Sequence, residues 1–349
     1  MKAVVIERQG SPVSPNIVFR NDWPDLPLPG EGQVVVRTLA SALNHMDLWV
    51  GRGVPGLELT YPRVSGCDAC GVVEAVGAGV PDLWMGRRVI VNAAVRVGGV
   101  SPPASGPGSH LAPEYELIGE HDPRGMHAER FLAPAENLVN VPDGSDPIEA
   151  AAYGLAALTA YSMMITKGDL RPGETVLITG IGGGVATIAM KLALHLGCTV
   201  IVTSRHRAKL DAAAALGAHH GVLDAGDDWS REVRRLTGKR GVDMAVDSVG
   251  KATHLACIKS LARGGAYVTP GCTTGPDATT DLARIFWNQL RVLGSTMGTN
   301  TEFREAAALF ASGGVRPVVD RVFTPDQADS AWARLEAGEQ FGKVVIDWR

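Results

Sequence analysis

The strongest constraint on the fold is the run of residues 176–185, which reads Val-Leu-Ile-Thr-Gly-Ile-Gly-Gly-Gly-Val. An apolar, β-type segment leads into the glycines, and a helical pattern follows from residue 186 to residue 196. A strand, a glycine turn and a helix in that order predict a dinucleotide-binding motif, because glycine lets backbone N–H groups approach a pyrophosphate at the positive end of a helix. The spacing is not a complete G-x-G-x-x-G, since Ala186 stands where the last small residue is expected. A purely structural glycine turn is therefore the alternative.

The segment after this helix bears on the choice of nucleotide. A second β-type run, residues 199–203, ends in Ser204-Arg205-His206-Arg207, and Lys209 follows. A carboxylate at this place would bind the ribose 2′-hydroxyl of NAD, whereas cations pair with a 2′-phosphate. The sequence therefore favours NADPH, and the alternative is an ordinary solvated basic turn.

Composition excludes several classes of function. A chain of 349 residues is long enough for two domains with cores of their own. The formal net charge of -4 and the lack of a basic stripe make nucleic acid an unexpected partner. No membrane association is expected, because the sequence predicts no apolar stretch long enough to cross a bilayer. Five cysteines do not make a disulfide framework in a chain of this size, which favours a cytoplasmic location.

Three regions follow one another along the chain. Residues 1–149 contain short Val-containing runs broken by Gly and Pro, which predict an all-β, barrel-like unit. Within them, the Gly/Pro/Ser tract 98–113 is not expected to form regular structure. Residues 150–300 alternate strands and helices and predict a doubly wound parallel sheet. The six predicted strands are 175–179, 199–203, 221–223, 243–247, 265–269 and 291–295.

The last region, residues 301–349, is expected to return to the first. A helix beginning near Glu302 leads to a β-type tail that ends at 342–346, and this tail has no sheet of its own. We expect the tail to join the N-terminal strands, which would make that domain discontinuous.

Motifs distributed over nearly the whole chain match one family. They are the opening Met-Lys-Ala-Val-Val, Leu-Asn-His-Met-Asp-Leu-Trp at 43–49, the stretch 66–79 with Gly-Val-Val at 71–73, Leu-Thr-Ala-Tyr at 158–161, the glycine turn, and Gly-Lys-Val-Val-Ile at 342–346. With them the chain resembles the medium-chain dehydrogenase/reductase superfamily, and within it the zinc-independent quinone oxidoreductase and enone reductase branch. The resemblance implies an α/β protein with a Rossmann doubly wound parallel sheet and a discontinuous GroES-like β-barrel catalytic domain.

The zinc ligands of the alcohol dehydrogenases in this superfamily are not matched. Their three positions fall at Asn44, at Cys67 and near Leu155. Catalytic zinc needs three nitrogen, sulfur or carboxylate ligands and an open position. Asn44 is a poor ligand and Leu155 is none, and Met46 replaces the Ser or Thr that relays a proton. The cysteines of the structural zinc are also missing from residues 92–120, so no metal is expected.

Other candidate metal or redox residues have simpler interpretations. Cys67 and Cys70 form a C-x-x-C that leads into a strand, and we expect them to be small buried residues. His110, His121 and His127 are interpreted as solvated loop histidines.

The resemblance implies hydride transfer from NADPH to a quinone or to the activated double bond of an α,β-unsaturated carbonyl, with a small-molecule hydride acceptor as the partner. Conjugation within such a substrate supplies much of its electrophilicity, so a metal is not required. Asn44 is the candidate for a polar contact to the nicotinamide or to the substrate carbonyl. Asp47 either supports the site or caps a turn or helix at 47–51. Tyr153 is either a proton donor or a packing residue.

The predicted cofactor contacts fall into groups. Those for the pyrophosphate are Gly180, Gly182, Gly183, Gly184 and Val185. Those for the 2′-phosphate are Ser204, Arg205 and Lys209. The ends of the fourth and fifth strands supply Ser248, Val249, Pro270 and Gly271. Family position adds His45, Thr159, Met297, Gly298 and Lys343.

Two other functions stay open. One is a zinc-type alcohol dehydrogenase or aldehyde reductase with altered ligands, and the other is a non-catalytic NADPH-binding protein. Relatives of this kind usually associate through the last strand of the cofactor domain, so a homodimer is expected.

Overall fold

A computed structural model describes residues 1–96, residue 111 and residues 115–349. The tract 98–113, except residue 111, and the predicted loop histidine His110 lie outside the described residues. The chain divides into two compact units. Unit 1 comprises Met1–Leu155, Thr299–Gly313 and Pro317–Arg349, and unit 2 comprises Ala156–Gly298 and Gly314–Arg316.

The strands and helices are numbered here in chain order. The strands are β1 (Ala3–Ile6), β2 (Ile17–Arg20), β3 (Gln33–Ala42), β4 (Ala69–Val76), β5 (Arg88–Val91), β6 (Ala94–Arg96), β7 (Tyr115–Leu117), β8 (Arg130–Pro134), β9 (Leu138–Asn140), β10 (Thr175–Ile178), β11 (Thr199–Ser204), β12 (His220–Leu223), β13 (Val242–Val246), β14 (Leu261–Thr269), β15 (Arg291–Gly294), β16 (Val319–Phe323) and β17 (Lys343–Asp347). The helices are α1 (His45–Arg52), α2 (Pro147–Tyr161), α3 (Gly184–His195), α4 (Arg207–Ala215), α5 (Ser230–Leu236), α6 (His254–Ser260), α7 (Leu282–Trp287), α8 (Asn300–Ala311) and α9 (Ala328–Ala337).

Unit 2 is built on a six-stranded parallel sheet in the order β12-β11-β10-β13-β14-β15. Numbered within the sheet this is 3-2-1-4-5-6, the order of a Rossmann domain. The central strands are apolar because helices cover both faces of such a sheet. Leu177, Ile201, Ala245 and Tyr267, one from each of four neighbouring strands, lie in one buried cluster. The six predicted strands and their parallel arrangement are confirmed.

The direction of chain progression reverses between β10 and β13, the two central strands. Ligands bind open parallel sheets at such a point, outside the carboxyl ends of the strands. The segments that follow β10 and β13 are the glycine turn and residues 247–253. The sheet therefore places the predicted pyrophosphate contacts at the edge where a nucleotide binds.

Unit 1 contains a mainly antiparallel sheet in the order β16-β17-β3-β4-β5-β9, and β8 also pairs with β3. β17 pairs with β3 in antiparallel register, with Val345 opposite Ala42. The tail thus joins the N-terminal strands. At Gly71 in β4 a Cβ atom would lie 2.4 Å from the Arg37 carbonyl oxygen of β3, so only glycine permits this approach of the two backbones.

One helical segment is longer and more apolar than we expected from the sequence. α2 and the helical turns that continue it span Pro147–Lys167, 21 residues, which by length and composition suffices to cross a membrane. In its most apolar window 78% is buried inside the structure. Burial of this kind is typical of a core helix, so the segment carries little weight as evidence for a membrane span.

Candidate active site

Asn44 is held at the start of α1 by a reciprocal cap. Its backbone is extended (φ -127°, ψ 163°), and its backbone N–H donates to Asp47 Oδ2 at 2.8 Å. Burial opposes ionisation of the fully buried Asp47 carboxyl, but the neighbouring His127 ring and the hydrogen bond from the Asn44 backbone outweigh it, and the pKa of Asp47 is lowered. Asp47 therefore caps a helix and fixes Asn44, which was one of its two predicted roles.

The support continues behind Asp47 through a buried histidine. His127 Nε2 lies 3.2 Å from Asp47 Oδ1, and His127 Nδ1 lies 2.9 Å from Ser41 Oγ. Ser41 Oγ also accepts from Trp348 Nε1 at 2.9 Å. Because an ionised carboxylate only accepts, Nε2–H of His127 donates to Asp47. His127 is fully buried, with its ring 5.0 Å from that of Trp332. The expectation that His127 is solvated is wrong.

In unit 1, Asn44 and Lys343 meet at a third residue, Asp68. Lys343 Nζ donates to Asn44 Oδ1 at 2.6 Å and to Asp68 Oδ2 at 2.8 Å. Asn44 Nδ2 donates to the same Asp68 oxygen at 3.1 Å, and the Leu155 backbone N–H donates to Asp68 Oδ1 at 2.8 Å. Asp68 and Lys343 are 1% and 3% exposed. The result is a buried ion pair in which an amide bridges the two charges.

A half-buried loop carries another predicted histidine. His121 Nδ1 accepts from the Leu117 backbone N–H at 3.1 Å and lies 3.4 Å from a Glu120 carboxylate oxygen. Burial raises the pKa of Glu120. Beneath the loop, the guanidinium of Arg63 donates to the carbonyls of Glu120 and Asp122. His121 is thus only partly solvated, since its ring also accepts a hydrogen bond within the loop.

Two other predicted residues of unit 1 lie apart from the ion pair. The Tyr153 hydroxyl donates to the Ala306 carbonyl at 2.8 Å, and its buried ring lies 5.0 Å from that of Phe310. Of its two predicted roles, packing is the one that the structure supports, because this hydroxyl is engaged inside unit 1. His45 begins α1, where its ring stacks edge-on against Trp49 at 5.8 Å and burial lowers its pKa.

The glycine turn of unit 2 follows β10 and leads into α3. Gly180 and Gly182 have φ of +60° and +114°, which favour glycine, and Gly183 is the N-cap of the helix. A Cβ atom on Gly180 would lie 2.8 Å from Val249 Cγ2. The first amides of α3, from Gly184 onward, have no carbonyl within the helix to bond, so they are directed at an incoming anion. The turn therefore fits a pyrophosphate.

The basic segment lies at the carboxyl end of β11. Ser204 Oγ accepts from the His206 backbone N–H at 3.1 Å, and Arg205 is exposed. Sequence analysis did not consider Asp224, which follows the neighbouring strand β12 and donates its backbone N–H to the Ser204 carbonyl at 2.9 Å. The Asp224 carboxylate accepts from the Gly226 N–H at 3.2 Å, within its own loop.

The other predicted contacts in unit 2 follow three strands or lie in α2. They are Ser248 and Val249 after β13, Pro270 and Gly271 after β14, Met297 and Gly298 after β15, and Thr159 in α2.

Comparison with known proteins identifies the family. Residues 30–143 match the alcohol dehydrogenase GroES-like domain, and residues 184–312 match the zinc-binding dehydrogenase domain. A crystal structure of an NAD-dependent alcohol dehydrogenase is 37% identical, covers 100% of both chains and has a TM-score of 0.91. The chain belongs to the medium-chain dehydrogenase/reductase superfamily. It is accordingly an oxidoreductase that uses a nicotinamide cofactor, and the predicted fold class is confirmed.

Curated relatives within the superfamily differ in their chemistry. The zinc-type alcohol dehydrogenase-like protein YogA of Leptosphaeria maculans is 30% identical and covers 92% of each chain. A 2-haloacrylate reductase of a Burkholderia species is 32% identical and covers 76% of this chain and 72% of the reductase. Within the superfamily the chain is therefore similar to the enone reductase branch as well as to alcohol dehydrogenases.

The donor atoms of unit 1 do not fit the catalytic zinc of this superfamily. At the three ligand positions, Asn44 bonds to an ammonium, Leu155 offers a backbone amide, and burial raises the pKa of the Cys67 thiol well above its usual value. A zinc ligand must be a thiolate rather than a thiol. Among the residues that the structure describes, no three or more His, Cys, Asp or Glu side chains form a group that could hold a metal. The buried cation at this place is Lys343.

Cys67 and Cys70 are both buried, as the C-x-x-C was interpreted. Cys67 nevertheless borders the ion pair, since its Sγ lies 3.5 Å from Asn44 Nδ2. Sequence analysis missed Asp68 as a site residue, although it stands beside the aligned ligand position at Cys67. A carboxylate next to a substituted metal ligand was the available signal.

Proposed function

We propose that this oxidoreductase transfers a hydride from NADPH to a quinone or to the activated double bond of an α,β-unsaturated carbonyl, without zinc. The observation that carries the proposal is the buried Lys343 ammonium, which is bonded to Asn44 and Asp68 where related enzymes bind the metal. A fixed positive charge of this kind stabilises developing negative charge on an oxygen, as a metal does. The similarity to the Burkholderia 2-haloacrylate reductase supports the same class of substrate.

The chemistry divides between the substrate, the cofactor and Lys343. An enone gains a hydride at its β carbon, which moves the negative charge onto the carbonyl oxygen, and then takes a proton from solvent at its α carbon. A quinone gains a hydride and then a proton from solvent, which gives the hydroquinone. Bound NADPH supplies the hydride. Two of the three Lys343 N–H groups are engaged by Asn44 and Asp68, and within the described residues the third has no partner. That N–H is the donor that we assign to the carbonyl oxygen.

The choice of NADPH rests on the basic segment after β11. Arg205 is exposed beside the buried end of the strand, and the Asp224 carboxylate is directed to its own loop. An Arg guanidinium pairs with a phosphate through two parallel hydrogen bonds. The similarity to an NAD-dependent alcohol dehydrogenase favours the other cofactor, so the preference requires a direct test.

Arg205→Ala is that test. Losing a charge-assisted hydrogen bond costs about 1.5 to 3 kcal/mol, so the Kd for NADPH should rise about tenfold or more, while the Kd for NADH stays within about twofold. Fluorescence titration measures both constants. Arg263→Ala, which removes another exposed guanidinium of unit 2, is the matched control. An equal rise for NADH and NADPH would refute the assignment of Arg205 to the 2′-phosphate.

A second candidate function is the reduction of aldehydes, or oxidation of alcohols, with zinc held by altered ligands. The names of the two alcohol dehydrogenase relatives favour it. Zinc binding at this position requires that the Lys343 side chain leave Asn44 and Asp68, so that a metal can occupy the same space. Zinc bound in a one-to-one ratio in the purified protein, and activity lost on its removal, would support this candidate against the first.

A further inference from the structure

A single buried carboxylate joins the strand ends at the nucleotide edge of unit 2. Asp247 follows β13 and is fully buried. Its Oδ1 accepts from Thr179 Oγ1 at 2.6 Å, from Thr253 Oγ1 at 2.8 Å and from the Val249 backbone N–H at 2.9 Å. Its Oδ2 accepts from the Tyr267 hydroxyl at 2.9 Å. The donors are neutral, so several hydrogen bonds stabilise this carboxylate rather than an ion pair.

The donors come from different elements of the sheet. Thr179 lies between β10 and Gly180, Val249 lies in the loop after β13, Thr253 is the N-cap of α6, and Tyr267 lies in β14. One side chain therefore links three neighbouring strands at their carboxyl ends. Neither the glycine motif nor the ion pair of unit 1 includes this residue.

The shortest of these hydrogen bonds, from Thr179, involves the residue that leads into the glycine turn. Thr179 immediately precedes Gly180, whose left-handed backbone places it against Val249. The Val249 carbonyl is in turn bonded by the backbone N–H and the hydroxyl of Thr274, at 2.9 and 2.7 Å. Asp247 thus bonds both to Thr179, next to the glycine turn, and to Val249, in the loop that Thr274 holds in place.

We infer that Asp247 is a positioning residue for the cofactor. By holding the Thr179 hydroxyl and the Val249 amide on one oxygen, it fixes the glycine turn in the geometry that receives the pyrophosphate. This inference rests on the proposed assignment of the glycine turn to the pyrophosphate. It predicts that the hydrogen bond from Thr179 affects binding of the pyrophosphate more than it affects binding of the adenosine end.

The test compares Thr179→Val with Thr253→Val. Each variant removes one buried hydroxyl that donates to the same Asp247 oxygen and keeps the shape of the side chain. The melting temperature should therefore fall by a similar amount in both variants. Only Thr179 adjoins the glycine turn. We expect Thr179→Val to raise the Kd for NADPH about fivefold or more and Thr253→Val to raise it less than about twofold, the range set by one buried hydrogen bond. Adenosine 2′-monophosphate, which lacks the pyrophosphate, should bind both variants within about twofold of the wild type.

Two variants of Asp247 itself complete the test. Asp247→Ala should weaken NADPH binding more than either threonine variant. Asp247→Asn keeps an acceptor oxygen for Thr179 and Val249, so it should restore most of the affinity lost in Asp247→Ala. Equal effects of the two threonine variants on the Kd for NADPH, or a parallel loss of adenosine 2′-monophosphate binding, would show a merely structural role and overturn the inference.

The test of Asp247 does not depend on whether the proposed preference for NADPH over NADH is correct. If the wild type binds NADH more tightly than NADPH, the proposed preference is wrong. The same comparison made with NADH and adenosine then tests the role of Asp247 by the same criteria.

Discussion

At the scale of single residues, Lys343 and Asp68 depend on each other. Both are almost fully buried, and their side chains lie 2.8 Å apart. Removing one partner of a buried pair leaves an uncompensated charge, so Lys343→Met should lower the free energy of unfolding by about 3 to 5 kcal/mol. Adding Asp68→Asn to Lys343→Met removes the remaining charge and should restore most of the loss. Urea denaturation of the two single variants and the double variant measures this coupling, and additive losses would contradict it.

The residues of this cluster differ in how far the sequence could predict them. Asn44 and Lys343 were each selected by family position, but they are separated by 299 positions along the chain. The tail was expected to join the N-terminal strands, but the hydrogen bond between Asn44 and Lys343 depends on the register of β17 against β3, which no local pattern specifies. His127 was misassigned because a histidine in a loop segment gives no local sign of burial. Only the three-dimensional structure shows it beneath Asp47.

At the scale of elements, the glycine turn between β10 and α3 is predicted to be required for binding of NADPH. Gly182 has φ +114°, which side chains rarely adopt, so Gly182→Ala strains the turn that we assign to the pyrophosphate. Gly197→Ala is the matched control, because Gly197 (φ +71°) lies just beyond the other end of α3 and an added Cβ would meet nothing within 4 Å. Both variants should lose about 1 to 3 kcal/mol of stability, and only Gly182→Ala should raise the Kd for NADPH, by about tenfold.

Isothermal titration of both glycine variants, with thermal denaturation alongside, separates strain from binding. Unchanged NADPH affinity in a folded Gly182→Ala protein would contradict the role of the turn.

The strands of unit 2 were predictable because buried parallel strands are nearly continuous apolar runs. The start of β14 was not, since the structure begins this strand at Leu261 rather than at 265. Leu261 pairs with Val242, and a register shift follows before Ala266 pairs with Met244. The intervening Arg263-Gly264-Gly265 is polar and rich in glycine, so the local composition does not predict that the strand begins before it.

At the scale of the whole molecule, we propose that the outer edge of the six-stranded sheet receives a second copy of the chain. β15 is the last strand in the sheet order, and Val292 on it is 49% exposed. On the preceding helix α7, Phe286 and Trp287 are each 69% exposed. Exposed aromatic side chains beside an open strand edge are typical of an interface.

The variant Phe286→Asp/Trp287→Asp should therefore be monomeric where the wild type is a dimer. Leu83→Asp, which changes a side chain 65% exposed in unit 1, is the control and should leave the dimer intact. Light scattering after size-exclusion chromatography measures the mass. A monomeric wild type, or a dimer that survives both aspartates, would contradict the proposed interface.

We propose that Lys343, rather than zinc, assists reduction of a conjugated acceptor by NADPH. The most direct measurement is NADPH oxidation, followed by absorbance, with chelator-treated protein of verified metal content and with an enone, a quinone and a simple aldehyde as acceptors. We expect turnover of the enone or the quinone at the same rate before and after metal removal, and little turnover of the aldehyde. Turnover of the aldehyde alone, activity that disappears with the metal, or no turnover of any acceptor would contradict it.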